Sequence, residues 1–150
     1  DETFDLVLCW DGIIGASEEL IRVTKKGGTL SMFLYNKCGV AINKFPEDPE
    51  SALALLKSKL GYFYDEREKQ IAVTPEEAKE HFKKRGIKVL DIYAVCGMLP
   101  VLSIPNKVQE SRKWDEKLFK QTTEMLLRLS KEPSAQGFSR HLVLYGERTH

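Results

Sequence analysis

The chain has 150 residues, 42% of them hydrophobic and 30% charged, and a formal net charge of +1. This is an ordinary globular composition with room for one core, and it argues neither for nor against nucleic acid as a partner. No apolar run approaches the roughly 20 residues of a membrane span and no signal segment opens the chain; Cys9, Cys38 and Cys96 lack metal-ligand spacing and read as reduced thiols of a cytoplasmic protein.

Residues 4–10 (FDLVLCW) form a short apolar run, read as a buried strand, and Asp11-Gly12 breaks it. Residues 16–26 read as a helix, with Glu18-Glu19 near its start and Lys25-Lys26 at its end, as the helix dipole favours. Gly27-Gly28 supplies a stop and a tight turn. Residues 29–36 follow as a strand apolar on both faces, which suits a parallel sheet covered by helices. Ligands of such sheets sit beyond the carboxyl ends of the strands, so Tyr35, Asn36, Lys37 and Cys38 mark a candidate site.

A helix is expected from Asp48 to about Lys59, with Leu53, Leu56 and Leu60 on one face and Gly61 as its stop. Tyr62-Phe63-Tyr64 is an aromatic cluster, the charged run 65–69 after it reads as a solvated loop, and 40–73 reads as an insertion or lid outside the central sheet. Thr74-Pro75-Glu76-Glu77 spells a capping box, opening a helix to Arg85 that Gly86 ends. Residues 87–95 are β-branched enough for a strand. A long helix is expected over 107–131, with Trp114, Leu118, Thr122, Met125, Leu126 and Leu129 as its core stripe and Lys131 and Pro133 as its close. Residues 139–145 read as the last strand. Helix, glycine and strand in this order form the second half of a doubly wound α/β unit.

This order resembles the C-terminal half of a class I S-adenosylmethionine-dependent methyltransferase. Phe4-Asp5-Leu6-Val7-Leu8-Cys9 is similar to the family's fourth strand, and Leu20 to Gly28 to its helix-turn before strand five, with Lys26 in place of the usual proline. Tyr35-Asn36 with Gly39 three residues on, and Ser139-Arg140-His141 opening the last strand, resemble a bacterial subgroup that includes the tRNA 5-carboxymethoxyuridine methyltransferase. The resemblance implies a Rossmann-like, mostly parallel sheet with helices on both faces and an antiparallel last strand. It implies S-adenosyl-L-methionine as cofactor and a small molecule or a tRNA base as acceptor. Two features depart from the family. The loop after Cys9 is short, and neither a Gly-x-Gly loop after a first strand nor an acidic residue closing a second is present. Residues 1–150 are therefore expected to be part of a longer polypeptide, with one side of the first strand open to another chain, a second copy included.

The resemblance places Cys9, Trp10 and Asp11 beside the cofactor, and Tyr35, Asn36, Arg140 and His141 beside the acceptor. Asn36 both donates and accepts, Arg140 suits a carboxylate or phosphate, and His141 suits proton removal near neutral pH. Against these stand bland readings: packing for Tyr35, a half-buried anchor for Trp10, a strand-end cap for Asn36, a turn for Asp11, a surface ion pair for Arg140 and packing on the sheet for His141. Tyr93 and Cys96-Gly97 are weaker candidates, His81 and His150 are expected to be solvent-exposed, and the basic clusters 83–85 and 107–113 read as solvated faces. A truncated homologue that only binds protein or RNA is the alternative. A nicotinamide-dependent oxidoreductase is disfavoured, because its dinucleotide fingerprint is also missing.

Overall fold

The computed structural model describes residues 2–10, 14–58, 61–65, 68–95 and 116–150. The strands are β1 (Phe4–Cys9), β2 (Thr24–Asn36), β3 (Gly61–Asp65), β4 (Glu68–Val73), β5 (Ile87–Val95) and β6 (His141–Arg148). The helices are α1 (Ser17–Val23), α2 (Lys37–Lys44), α3 (Pro49–Lys57), α4 (Pro75–Lys83), α5 (Glu116–Lys131) and α6 (Pro133–Phe138). One sheet runs β3-β4-β2-β6-β5, and β1 pairs with β2. β1 and β4 lie parallel to β2, while β6 lies antiparallel to both β2 and β5. So β1, β2, β4 and β5 share one direction, and the last strand opposes them as expected.

Register sorts the side chains into two faces. Val7 pairs with Leu30, and the row Met32, Leu144 and Ile92 continues the same face; Leu34 and Leu142 follow. These residues are buried, and α1 and α4 cover them with Ile21, Ala78 and Phe82. Each fully buried leucine there contributes about 2 kcal/mol of hydrophobic stabilisation. The opposite face carries Leu6, Leu8, Phe33, Tyr35, His141, Val143, Tyr145 and Tyr93. α5 lies over its β5 side, with Lys131 Nζ 5.2 Å above the Tyr93 ring. A groove of about 800 Å³ separates Leu126 and Leu129 of that helix from Tyr93, Val143 and Tyr145.

Several elements differ from expectation. β1 is not buried on both faces: Val7 is covered, but Phe4, Leu6 and Leu8 are more than half exposed. Only β2 flanks it, and no helix sits on its outer face among the described residues. α1 ends at Val23 rather than Lys26, and β2 already starts at Thr24. The Gly-Gly turn survives as a bulge inside β2: Phe4 faces Thr24, yet Leu6 faces Thr29. Gly27 has φ +74°, a conformation that costs glycine nothing and other residues a strained backbone. Lys25 turns back to Asp5 at 3.0 Å.

The described residues of the run 65–69 are strand rather than loop: Asp65 closes β3, and Glu68 and Lys69 open β4. β3 and β4 form a hairpin there, and β4 joins the sheet through Tyr35↔Ala72 and Asn36↔Val73. The charges are compatible with strand because they fall at a sheet margin, where Lys69 stays exposed with its Nζ 4.1 Å from the Tyr62 ring. α2 and α6 were not expected. The stripe on α5 is less buried than expected: Leu126 and Leu129 are half-buried and Met125 is exposed, while Trp114 lies outside the described residues. The capping box of α4 forms as the sequence predicts, with Glu77 N donating to Thr74 Oγ1 at 3.1 Å and Thr74 N to Glu77 Oε2 at 2.8 Å.

Candidate functional site

The antiparallel β6 begins where the parallel β2 and β5 end, so Tyr35, His141 and Val95 stand in one row. The His141 ring lies 4.7 Å from the Phe33 ring and 5.0 Å from the Tyr35 ring. Tyr35 in turn meets Phe63 edge-on at 5.0 Å. All of these but Phe63 are half-buried, so each keeps a solvent-facing edge. Arg140, also half-buried, adjoins His141 in the chain. Ser139 Oγ lies 3.0 Å from Val95 O and 2.5 Å from His141 O, which ties the start of β6 to the end of β5.

Asn36 is different. Its side chain is fully buried. The amide nitrogen donates to Gln136 O at 2.7 Å and Ser139 O at 2.6 Å, and the amide oxygen accepts from Cys38 N at 3.3 Å. Both ends of the amide are thus committed to backbone, and no group is left to orient an acceptor. Asn36 caps α2 and holds the segment that carries Arg140 and His141. Gly39 completes this junction: a Cβ there would lie 2.1 Å from Ser139 O. The Tyr-Asn and Gly spacing therefore encodes a close contact of α2 with the 136–140 backbone.

Behind the junction, Lys37 is buried at 2% exposure, and its Nζ lies 2.5 Å from Glu77 Oε1 and 2.9 Å from Ser58 O. This pair joins α2, the end of α3 and the start of α4. A buried cation with a carboxylate and a carbonyl is satisfied, and its role is structural.

The three residues expected beside the cofactor separate. Cys9 pairs with Met32 and packs against the core, on the face away from Tyr35 and His141. Trp10, one residue on, is 69% exposed at the end of β1. Asp11 lies outside the described residues, as do Cys96, Gly97 and the cluster 107–113. Tyr93 lies on the α5 groove, and the Asp91 side chain beside it holds its hydroxyl above the usual tyrosine range. In the 83–85 cluster, Lys84 pairs with Glu80 and Arg85 with Glu18, in keeping with a solvated face. His81 is not solvent-exposed as expected: it is half-buried, with Nε2 3.0 Å from the buried Ser17 Oγ. Burial, then the nearby Arg85, push its pKa below the usual value. Phe33 is the contact of His141 that sequence reasoning missed, because nothing distinguishes it from the apolar run around it. Among the described residues, no group of three or more His, Cys, Asp or Glu could hold a metal, and no helix is long and apolar enough to cross a membrane.

No protein-family model matches this sequence, and no curated protein matches it. Solved structures do. One is a protein of Haloferax volcanii described as a methyltransferase, in complex with the Trm112 methyltransferase activator: TM-score 0.50, 15% identity, covering 100% of this chain and 56% of that one. Another is a protein of Listeria monocytogenes described as S-adenosylmethionine-dependent methyltransferase: TM-score 0.55, 9% identity, covering 99% of this chain and 63% of that one. The fold is that of Rossmann-like methyltransferases. At such identities the likeness shows the fold alone, and the chain spans only 56% and 63% of these two proteins.

Within this fold the chemistry of the donor set can be weighed. Trp10 offers a ring face and Tyr35, Arg140 and His141 an aromatic, cationic and proton-accepting edge. The thiol of Cys9 packs against the core. Of the described residues expected beside the cofactor, Trp10 alone is exposed.

Proposed function

We propose that this chain carries the acceptor side of a methyl-transfer site that uses S-adenosyl-L-methionine, with a small molecule or a tRNA base as the acceptor. The observation that supports this is the meeting of Tyr35 and His141 where β2 and β5 end and β6 begins, with Arg140 next to His141 in the chain. The cofactor supplies an electrophilic methyl group. The chain's own part is to hold the acceptor in line and take its proton. His141 is the base, its ring fixed between Phe33 and Tyr35. Arg140 presents a planar fork to an acceptor carboxylate or phosphate. Trp10 offers a ring face for the cofactor's adenine, and Asn36 acts only by positioning Arg140 and His141. The remaining cofactor contacts belong to polypeptide outside these residues. The free thiols of Cys9 and Cys38 agree with a cytoplasmic setting.

The test is calorimetric titration of S-adenosylhomocysteine into this chain and into a polypeptide that includes the coding sequence upstream of Asp1. Transfer from labelled cofactor to tRNA and to small carboxylates follows. Binding by the longer polypeptide and transfer to one acceptor class are expected. His141→Gln is then expected to lower kcat by about 100-fold or more with little change in KM. Arg140→Met is expected to raise the KM for an anionic acceptor. Absence of binding by the longer polypeptide would overturn the reading and leave a binding module.

A further inference from the structure

The groove between α5 and the sheet is walled by this chain on both sides. Leu126 and Leu129 of α5 stand across about 800 Å³ from Tyr93 of β5 and from Val143 and Tyr145 of β6. That size lies within the range of about 300–1,000 Å³ that small-molecule clefts occupy. Two further leucines of the lining, Leu90 and Leu127, are 53% and 64% exposed, so apolar surface is left for a ligand to cover.

The charges say which ligand. Among the described residues the lining holds one carboxylate, that of Asp91, and no lysine or arginine. The Lys131 ammonium, outside the lining, stands over the Tyr93 ring. A nucleic-acid backbone would meet a carboxylate with no cation in the wall, whereas a neutral molecule meets no such cost. Asp91 also supplies an anchor. Its carboxylate accepts from Ile92 N at 2.9 Å and from the Tyr93 hydroxyl, and it has lone pairs left for one more donor.

The groove continues into the candidate site. Its floor is the face of the sheet that carries His141: Val95 pairs with His141, Tyr93 with Val143 and Asp91 with Tyr145. From His141 to Tyr145 a strand rises about 13 Å. We propose that the groove binds an elongated, neutral and mostly apolar small molecule, with a hydrogen-bond donor on Asp91 at one end and its other end beside His141. As the body of a methyl acceptor this ligand rests on the function proposed above, where it favours a small molecule over a tRNA base. As a ligand of the groove it needs no transfer.

The probe is N-phenylnaphthylamine, a neutral aromatic amine with one N–H donor, whose fluorescence rises in apolar surroundings. It is titrated into the polypeptide that includes the coding sequence upstream of Asp1. Saturation at one site and a shift of the His141 ring resonances are expected. The sulfonated relative, anilinonaphthalenesulfonate, is expected to bind about 10-fold or more weakly, because its charge meets Asp91. Thr123 is exposed on the α5 wall, so Thr123→Trp fills the groove without entering the core. It is expected to weaken binding about 10-fold or more, while Gln121→Trp, on the same helix but outside the lining, leaves it unchanged. Absence of saturable binding would overturn the proposal, whether polypeptide outside these residues or a second copy fills the groove. So would binding that survives Thr123→Trp, equal loss in both tryptophan variants, a sulfonate that binds as tightly, or a His141 ring that does not respond. None of these outcomes depends on S-adenosylhomocysteine, so the methyl-transfer reading stands or falls by its own titration.

Discussion

Asn36 is where a plausible catalytic residue and a structural one part company. Removing its amide strands the Cys38 N–H and the carbonyls of Gln136 and Ser139 in a buried junction. Buried groups left unpaired cost about 1–3 kcal/mol each, so Asn36→Ala is expected to lower stability by about 3 kcal/mol in a urea titration. Asn36→Asp is also expected to destabilise, because a carboxylate cannot donate to those carbonyls. A purely acceptor-binding role would leave both midpoints unchanged. His81 gives the second residue-scale test. Arg85 Nη1 lies 3.3 Å from Nδ1, so Nδ1 is the acceptor and Nε2 carries the proton toward Ser17. The neutral ring fits, and the folded pKa falls below 6.5. The folded state then binds fewer protons than the unfolded one, so stability is present above pH 6.5 and is lost as pH falls below it. Unfolding midpoints at about pH 7.5 and about pH 5 are expected to differ less for His81→Gln than for the natural chain. The sequence named Asn36 and His81 but could not say what faces them, since the partners lie 100 and 64 residues away.

At the scale of elements, local signals were reliable where one segment supplies both partners. Thr74 and Glu77 are three residues apart, and their capping box formed as written. Thr74→Ala is expected to cost about 1 kcal/mol of stability, read as a shift in the thermal midpoint. Signals failed where a distant segment decides. Asn36 was legible as a strand-end cap, but nothing after Lys37 announces α2; the backbone of 139–140 pressed against Gly39 joins that cap in setting its start. Gly39→Ala would drive a methyl group into the Ser139 carbonyl and push the start of β6 away. A loss of about 2 kcal/mol is expected, together with loosening of the Tyr35–His141 contact, read from the His141 ring resonances. The hairpin of β3 and β4 was missed for a related reason. Its alternation is masked by charges that only a sheet margin tolerates, and position in the sheet is not a local property. β1 failed in the opposite sense: its residues are apolar enough for a buried strand, and the structure leaves half of them bare.

At the scale of the whole molecule, the described residues hold two apolar clusters of unequal size. The larger joins β1, β2, β5 and β6 to α1 and α4, and reaches β4 through Val73 and Ile71. The smaller gathers Val40, Ala41, Ala52, Leu55, Phe63 and Ala72 from α2, α3 and the hairpin. The succession of β1, β2, β5 and β6 was legible from the sequence, because strand, helix and glycine alternate along it. The division into two clusters was not, because it depends on which apolar residues meet across the fold. Between the clusters run the two β2–β4 pairs, Val73 and Ile71 of β4 in the larger core, the Tyr35–Phe63 contact, the Lys37–Glu77 bridge and the contact of Gly39 with the 139–140 backbone. These links are fewer than the ladders inside the main sheet, and the smaller core adds little to them, which favours local opening of 37–73 below the free energy of global unfolding. Native-state hydrogen exchange is therefore expected to release amides of β3 and β4 at lower urea than those of 30–34 and 142–144. Leu55→Ala sharpens the test. Leu55 is 4% exposed, and its truncation is expected to lower the opening free energy of the smaller cluster by about 3 kcal/mol. If the clusters are separate cooperative units, protection of Leu142 and Leu144 stays near its natural value. If instead both regions lose protection by the same amount, residues 37–73 open only with the sheet. The junction built by Asn36 and Gly39 would then be rigidly part of one unit, and motion of 37–73 could not admit an acceptor to Tyr35 and His141.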